Sequence, residues 1–165
     1  MEQNIILRKQ QIQQITKRIA YQIYETFIDE EEIVIAGIAN SGYIFAQKIK
    51  TEVEKIADLK VTLGRMEINK QHPIQEIRSD LQRSDYENKA IVLVDDVMNS
   101  GATLIYGVKY FLDVPIKKFK TAVLIDRNHK KFPVKADFKG ISLSTSSLEH
   151  VQVVFEKDNE YAFLK

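Results

Sequence analysis

Residues 91–104 decide the fold, and they read Ile91-Val92-Leu93-Val94-Asp95-Asp96-Val97-Met98-Asn99-Ser100-Gly101-Ala102-Thr103-Leu104. Four apolar residues, three of them β-branched, predict a fully buried strand of a parallel sheet. Two carboxylates follow where this strand is predicted to end, and a short loop of small and polar residues then leads into a helix. The apolar face of that helix is predicted from its 3.6-residue spacing: Leu104, Ile105, Val108, Phe111 and Leu112.

This stretch also predicts a binding site for a phosphorylated ligand. In an open α/β sheet, ligands bind beyond the carboxyl ends of the strands, and a loop that enters a helix there offers free backbone N–H groups to a phosphate. Ser100 and Thr103 add hydroxyl donors, and Gly101 permits a close approach of the backbone. Because Asp95 and Asp96 would repel a phosphate, they suit sugar hydroxyls or Mg²⁺ beside it.

A second strand–loop–helix unit precedes the first. Residues 33–38 are apolar and predict another buried strand, the loop Ala39-Asn40-Ser41-Gly42 follows, and a helix is expected from about Tyr43 to Ala57. By the backbone argument this loop is a second anion cradle, although a simple tight turn would have the same composition.

The remaining chain extends the same α/β pattern. An amphipathic helix is predicted from about Leu7 to Phe27, strands near residues 59–68, 119–125, 151–155 and 161–164, and an irregular lid or disordered loop at residues 69–88. Alternating strands and helices predict a parallel sheet. We expect one domain over residues 1–165, with residues 126–165 forming a small hood and the C-terminal strands.

Composition limits the classes of protein. The 165 residues are 44% apolar and 28% charged, with a net charge of +1 and no cysteine. Disulfides and thiolate metal sites are therefore excluded, and the overall charge favours no nucleic-acid or membrane partner. The polar start and the absence of a long apolar run predict a cytoplasmic protein without a signal peptide or membrane span.

Residues 91–103 resemble the 5-phosphoribosyl-1-pyrophosphate (PRPP) signature of the type I phosphoribosyltransferases. The resemblance implies that Asp95 and Asp96 contact the ribose hydroxyls. It implies a 5′-phosphate loop formed by Met98, Asn99, Ser100, Gly101, Ala102 and Thr103. It implies a pyrophosphate loop, often with a cis peptide, formed by Ala39, Asn40, Ser41 and Gly42. Family members often carry a basic residue in this second loop, where this chain has Asn40-Ser41.

The same resemblance implies the catalytic group and the cofactor. Asp95, Asp96 and Arg65 are the predicted catalytic residues, and Arg65, Arg78 and Arg83 are the cations available to reach the pyrophosphate. The lid at residues 69–88 would be mobile and would close over PRPP to exclude water. Mg²⁺ is the expected cofactor, bound mainly through PRPP.

Residues 122–138 narrow the resemblance to those family members that regulate pyrimidine operons and also act as uracil phosphoribosyltransferases. The segment Ala122-Val123-Leu124-Ile125-Asp126-Arg127-Asn128-His129 opens this similarity, and Lys17-Arg18-Ile19-Ala20 supports it. The base-binding candidates are Ile125, Asp126, Arg127, Lys135 and Phe138. Contacts to a messenger-RNA leader are implied for Arg18, His129, Lys130 and Lys135.

Three functions compete at this point. The first is transfer of ribose 5-phosphate from PRPP to uracil or a purine, with release of pyrophosphate. The second is a PRPP- or nucleotide-sensing regulator that binds RNA and has little or no catalysis, which the Asn40-Ser41 loop favours. The third, a receiver-like phosphorylation domain, leaves Ser100-Gly101-Ala102-Thr103 unexplained. The resemblance also implies a homodimer or a higher homo-oligomer.

Overall fold

The chain folds around a six-stranded sheet with helices on both faces. The computed structural model describes residues 4–165, so the polar residues 1–3 used in the expectation of no signal peptide lie outside the described range. The elements are β1 (Asn4–Arg8), α1 (Lys9–Thr26), β2 (Glu32–Ile38), α2 (Ser41–Ile56), β3 (Lys60–Glu67), β4 (Arg78–Ser79), α3 (Arg83–Tyr86), β5 (Ala90–Met98), α4 (Ala102–Phe111), β6 (Lys118–Asp126), β7 (Phe138–Ser142), β8 (Val151–Glu156) and β9 (Asn159–Leu164).

The central sheet has the strand order β4-β3-β2-β5-β6-β7, and only β4 runs antiparallel to its neighbour. Successive side chains of a strand point to opposite faces. In β5, Val92 and Val94 therefore pack in the core beneath α1 and α2, whereas Ile91 and Leu93 pack with α4. Because both faces are covered, the two central strands β2 and β5 are buried along almost their whole length. The prediction of an α/β fold with a mostly parallel sheet is confirmed.

A separate three-stranded sheet has the order β1-β9-β8 and is antiparallel. Strand β1 replaces the first residues of the helix predicted to begin at Leu7, because Leu7 pairs with β9. Helix α1 starts at Lys9, where the Arg8 N–H donates to Gln11 Oε1 at 2.9 Å. Of residues 126–165, β8 and β9 belong to this small sheet, whereas β7 joins the central one.

Helix α4 is shorter than its apolar pattern suggests. It buries Leu104, Gly107 and Phe111, but it ends at Phe111 and leaves Leu112 59% exposed. The assignment of Leu112 to the buried face is therefore wrong, because the chain turns away one residue earlier.

Among the helices of residues 4–165, none combines the length and apolarity that crossing a bilayer requires.

The region predicted as an irregular lid, residues 69–88, is only partly irregular. Its second half contains β4 and α3, and Leu81 and Tyr86 are buried there. The Tyr86 ring meets the edge of Phe111, with ring centroids 4.9 Å apart. The longest stretch of this region without a helix or strand is residues 68–77, which follow β3 directly.

Candidate active site

The acid pair lies inside strand β5 rather than after it. The pairing of β5 with β6 continues past Val94, with Asp95 opposite Val123 and Met98 opposite Asp126. This extended ladder corrects the expectation that the strand ends before the acids. Asp95 is 4% exposed, and its Oδ1 accepts the Asp96 N–H at 2.9 Å. Burial raises the pKa of the Asp95 carboxyl, the charge of Asp96 raises it further, and Lys70 opposes both.

Lys70 is the residue at this site that the sequence did not single out. It belongs to the irregular segment after β3, and its Nζ lies 3.0 Å from Asp95 Oδ1 and 3.3 Å from Asp96 Oδ1. Burial lowers the pKa of Lys70, but the charges of the two carboxylates outweigh it, so the pKa lies above its usual value. Lys70 therefore stays protonated at neutral pH.

The predicted 5′-phosphate loop connects β5 to α4. Met98 ends the strand, Ala102 and Thr103 begin the helix, and Asn99, Ser100 and Gly101 form the turn between them. Ser100 Oγ accepts the Ala102 N–H at 3.2 Å. The loop lines a cavity of about 120 Å³ together with Lys70 and Asp95. This geometry offers a helix N-terminus and small side chains to an anion.

Gly101 is required by both conformation and space. Its φ is 84°, in the left-handed region, and a Cβ there would lie 2.5 Å from Val134 Cγ1. Gly101→Ala is expected to destabilise the fold by about 2 kcal/mol, through left-handed strain and overpacking. Urea denaturation measures the loss.

Val134→Ala provides the test of the cause. In the Gly101→Ala background, Val134→Ala removes the clash but keeps the backbone strain. The double variant is therefore expected to lose less free energy of unfolding than the sum of the losses of the two single variants. Strict additivity would show that Val134 does not limit the space at position 101.

The predicted pyrophosphate loop lies beside the acid pair. The Ala39–Asn40 peptide bond is cis, and α2 begins at Ser41. A Cβ on Gly42 would lie 2.9 Å from Asp95 Cα, which shows that the first turn of α2 packs directly on β5. The two loops and the acid pair therefore meet at one edge of the sheet.

Arg65 brings a positive charge to the pyrophosphate loop from the neighbouring strand. It lies in β3, and its Nη2 donates to Asn40 Oδ1 at 2.9 Å. Its guanidinium also stacks over Tyr43, 5.3 Å from the ring centroid. Arg65 and Asn40 line an open groove of about 500 Å³, which Arg78 also borders. Arg83, in contrast, pairs with Asp113 at 2.7 Å.

The five base-binding candidates do not form one surface. Ile125 and Phe138 are packed in the core beneath α1. Asp126 Oδ1 accepts the Asn128 N–H at 2.9 Å, and its Oδ2 lies 3.6 Å from Lys139 Nζ. Lys135 is exposed. Only Lys135 among these residues presents its side chain freely to solvent.

Arg127, the fifth base-binding candidate, is buried and hydrogen-bonded to protein. It is 5% exposed. Its Nη1 donates to Asn99 Oδ1 at 2.7 Å, and its Nε and Nη2 donate to Thr145 Oγ1 at 3.0 and 2.8 Å. Further donations reach the carbonyls of Ser146 and Glu149. Arg127 thus ties the 5′-phosphate loop to the turn at residues 145–149.

The residues implied in RNA contacts lie in different surroundings. Arg18 donates to the carbonyls of Lys139 and Gly140 at 3.1 and 2.6 Å, along the edge strand β7. The His129 Nε2 lies 2.7 Å from the Thr145 carbonyl oxygen. Lys130 and Lys135 are exposed. The two lysines are therefore the more accessible of these cations.

Residues 2–158 match the model of a family described as the phosphoribosyl transferase domain. The chain belongs to this family. It is similar to the bifunctional protein PyrR of Macrococcus caseolyticus, with 30% identity over 174 residues that cover 100% of both chains. It is also similar to the bifunctional protein PyrR of Caldicellulosiruptor bescii, with 33% identity over 168 residues, 93% of this chain and 91% of that relative.

Solved structures show the same fold at lower identity. A hypoxanthine-guanine phosphoribosyltransferase of Bacillus anthracis has a TM-score of 0.74 and 21% identity, covering 87% of this chain and 85% of its own. The hypoxanthine phosphoribosyltransferase of Trypanosoma cruzi in complex with the product IMP has a TM-score of 0.78 and 15% identity, covering 98% and 93%. The predicted type I phosphoribosyltransferase fold is thereby confirmed.

Proposed function

We propose that the protein is a Mg²⁺-dependent phosphoribosyltransferase that transfers ribose 5-phosphate from PRPP to uracil or a purine and releases pyrophosphate. The observation that carries this proposal is the meeting of two anion-binding loops at one acid pair. A Cβ on Gly42, in the loop at residues 39–42, would lie 2.9 Å from Asp95 Cα, and Asp95 lines the same cavity as residues 99–103. A molecule with a phosphate at each end and a diol between them fits this order.

In the proposed reaction, a bond forms between a base nitrogen and the anomeric carbon while the bond from that carbon to pyrophosphate breaks. The base nitrogen loses its proton, and pyrophosphate leaves with the electron pair of the broken bond. Catalysis would consist mainly of positioning and electrostatic stabilisation. Asp95 and Asp96 would orient the ribose hydroxyls and stabilise positive charge that develops on the sugar.

Arg65 is the proposed cation for the leaving group. Arg65 Nη2 donates to Asn40 Oδ1 at 2.9 Å. Arg65 thus places a positive charge beside the pyrophosphate loop, which has no basic residue of its own. The irregular segment of residues 68–77 would cover the ligand and exclude water. The exposed Lys135 remains the proposed contact to the base, whereas Asp126, Ile125, Phe138 and Arg127 would shape the wall behind it.

The carboxylates of Asp95 and Asp96 offer the oxygen donors that Mg²⁺ prefers. Residues 4–165 contain no group of three or more acidic or histidine side chains that could hold a metal. The ion would therefore take most of its ligands from PRPP and water. When bound, it would neutralise charge on the pyrophosphate.

Calorimetry with PRPP and Mg²⁺, followed in the same samples by pyrophosphate release with uracil, hypoxanthine or guanine, tests the proposal. Binding together with release that depends on one base would establish the enzyme and name its substrate. Binding without release would leave a PRPP sensor. If PRPP did not bind, the assignment of the two loops as phosphate-binding loops would be wrong.

A second function is favoured by the similarity to proteins named bifunctional PyrR. The resemblance implies a regulator that binds a pyrimidine-operon leader RNA, and the exposed Lys130 and Lys135 would supply phosphate contacts. A gel shift with such a leader, repeated at rising salt, separates this function from pure catalysis.

We further propose that the protein is cytoplasmic and forms a homodimer or a higher homo-oligomer. Analytical sedimentation would measure the oligomeric state.

A further inference from the structure

Lys70 is presented to the site by a small, internally bonded turn. Ile68, two residues before Lys70, is buried and anchors the segment to the core. Asn69 Oδ1 accepts the N–H groups of Gln71 and His72 at 3.0 and 3.1 Å. The Asn69 amide in turn donates to Gln75 Oε1 at 3.0 Å. The Lys70 side chain is thus carried by a folded turn and leaves it toward β5.

The ammonium of Lys70 lies where two parts of the site meet. It contacts both carboxylates, at 3.0 and 3.3 Å, and it also lines the cavity of the 5′-phosphate loop. Among the described residues that line this cavity, Lys70 carries the positive charge and Asp95 the negative one. A phosphate in the loop would otherwise face the two acids without a cation between them.

Lys70 also keeps the capacity for another contact. An ammonium has three N–H donors, and the two carboxylates use two of them. The Lys70 side chain is 45% exposed, against 5% for Asp95, so it remains partly accessible from solvent. A lysine serves a phosphate as a compact point charge, without the fixed fork of arginine.

We infer that Lys70 is a ligand-binding residue that recognises the phosphate held by the loop at residues 99–103 and screens it from Asp95 and Asp96. The inference rests on the proposed function and names a residue for one end of its substrate. In the resting site, Lys70 offsets part of the negative charge of the acid pair. With the ligand bound, the same charge serves the phosphate next to it.

Calorimetry with ribose 5-phosphate compares the wild-type protein with Lys70→Gln and Lys70→Arg. Loss of a charged hydrogen bond predicts an affinity about tenfold to a hundredfold weaker for Lys70→Gln. Lys70→Arg keeps the charge and is expected to recover most of the affinity. Lys157→Gln, which alters an exposed lysine in the turn between β8 and β9, is the matched control and should bind as the wild type does.

The outcomes separate this inference from the proposed function. If the wild-type protein fails to bind ribose 5-phosphate, the assignment of the phosphate loop is wrong, and the proposed function and the role of Lys70 are both overturned with it. If the wild type binds and Lys70→Gln binds equally well, the proposed function stands and the role of Lys70 is wrong. Tighter binding by Lys70→Gln would also overturn it, because it would show that Lys70 competes with the ligand for the acids. Urea denaturation of each variant confirms that it is folded.

Discussion

Asparagine at both positions 95 and 96 is expected to weaken the binding of Mg²⁺-PRPP by at least about a hundredfold. Hydrogen bonds to charged acceptors contribute about 1.5–3 kcal/mol each, and the double substitution removes the charge of both acceptors that would hold the ribose hydroxyls. Asparagine preserves the size of the buried Asp95 side chain, so steric disruption of β5 is small. Titration calorimetry of the wild type and of Asp95→Asn/Asp96→Asn measures the difference.

Asp113→Asn is the matched control, since it removes a partly exposed carboxylate that pairs with Arg83. We expect it to bind Mg²⁺-PRPP with wild-type affinity, within about twofold, because isolated surface charges contribute little. If the double variant at the acid pair also retained wild-type affinity, Asp95 and Asp96 would not touch the sugar. The central assignment of the site would then have to be abandoned.

Arg127→Met is expected to lower the free energy of unfolding by about 3 kcal/mol. The substitution keeps much of the side-chain volume but leaves the Asn99 amide oxygen, the Thr145 hydroxyl and two carbonyls without their donor. Buried acceptors that lose a charged partner carry the desolvation cost without compensation. Urea denaturation gives the change in stability, with an unchanged m-value as evidence that only stability moved.

The matched control is Arg83→Met, in which the lost arginine is 71% exposed in its side chain and makes a surface ion pair. Its expected cost is below about 1 kcal/mol. A comparable loss for both arginines would mean that the buried network around Arg127 adds nothing. Lys at position 127 should recover only part of the stability, because it lacks the planar fork that reaches Asn99 and Thr145 together.

The sequence predicts the central unit well because two independent signals agree there. The apolar run at residues 91–94 predicts a buried parallel strand, and Gly101 followed by a 3.6-residue repeat predicts a helix start. The topology then places the loop at residues 39–42 beside it, since β2 and β5 are neighbours in the sheet. Parallel neighbours deliver their carboxyl ends to the same edge, so the meeting of the two loops follows from the local patterns together with this strand order.

Lys70 could not be predicted, because a lone lysine in a polar, aperiodic segment has no partner in the local pattern. Its contacts to Asp95 and Asp96 depend on how the segment after β3 folds back over the sheet edge. The same limit applies to Arg127, whose neighbours Asn99 and Thr145 are remote in sequence. A signal was available for Phe138, since a phenylalanine is more often part of a core than of a ligand pocket.

The pairing of β1 with β9 bears on the order in which the chain assembles during translation. Asn4 stands opposite Leu164, and all the strands of the central sheet lie between these two residues in sequence. Closing so long a loop costs entropy. The unit of β2, α2 and β3 needs only residues 32–67. On the ribosome, this unit and the helix that covers it can form early, whereas β1 must wait without its partner until residues 159–164 have emerged.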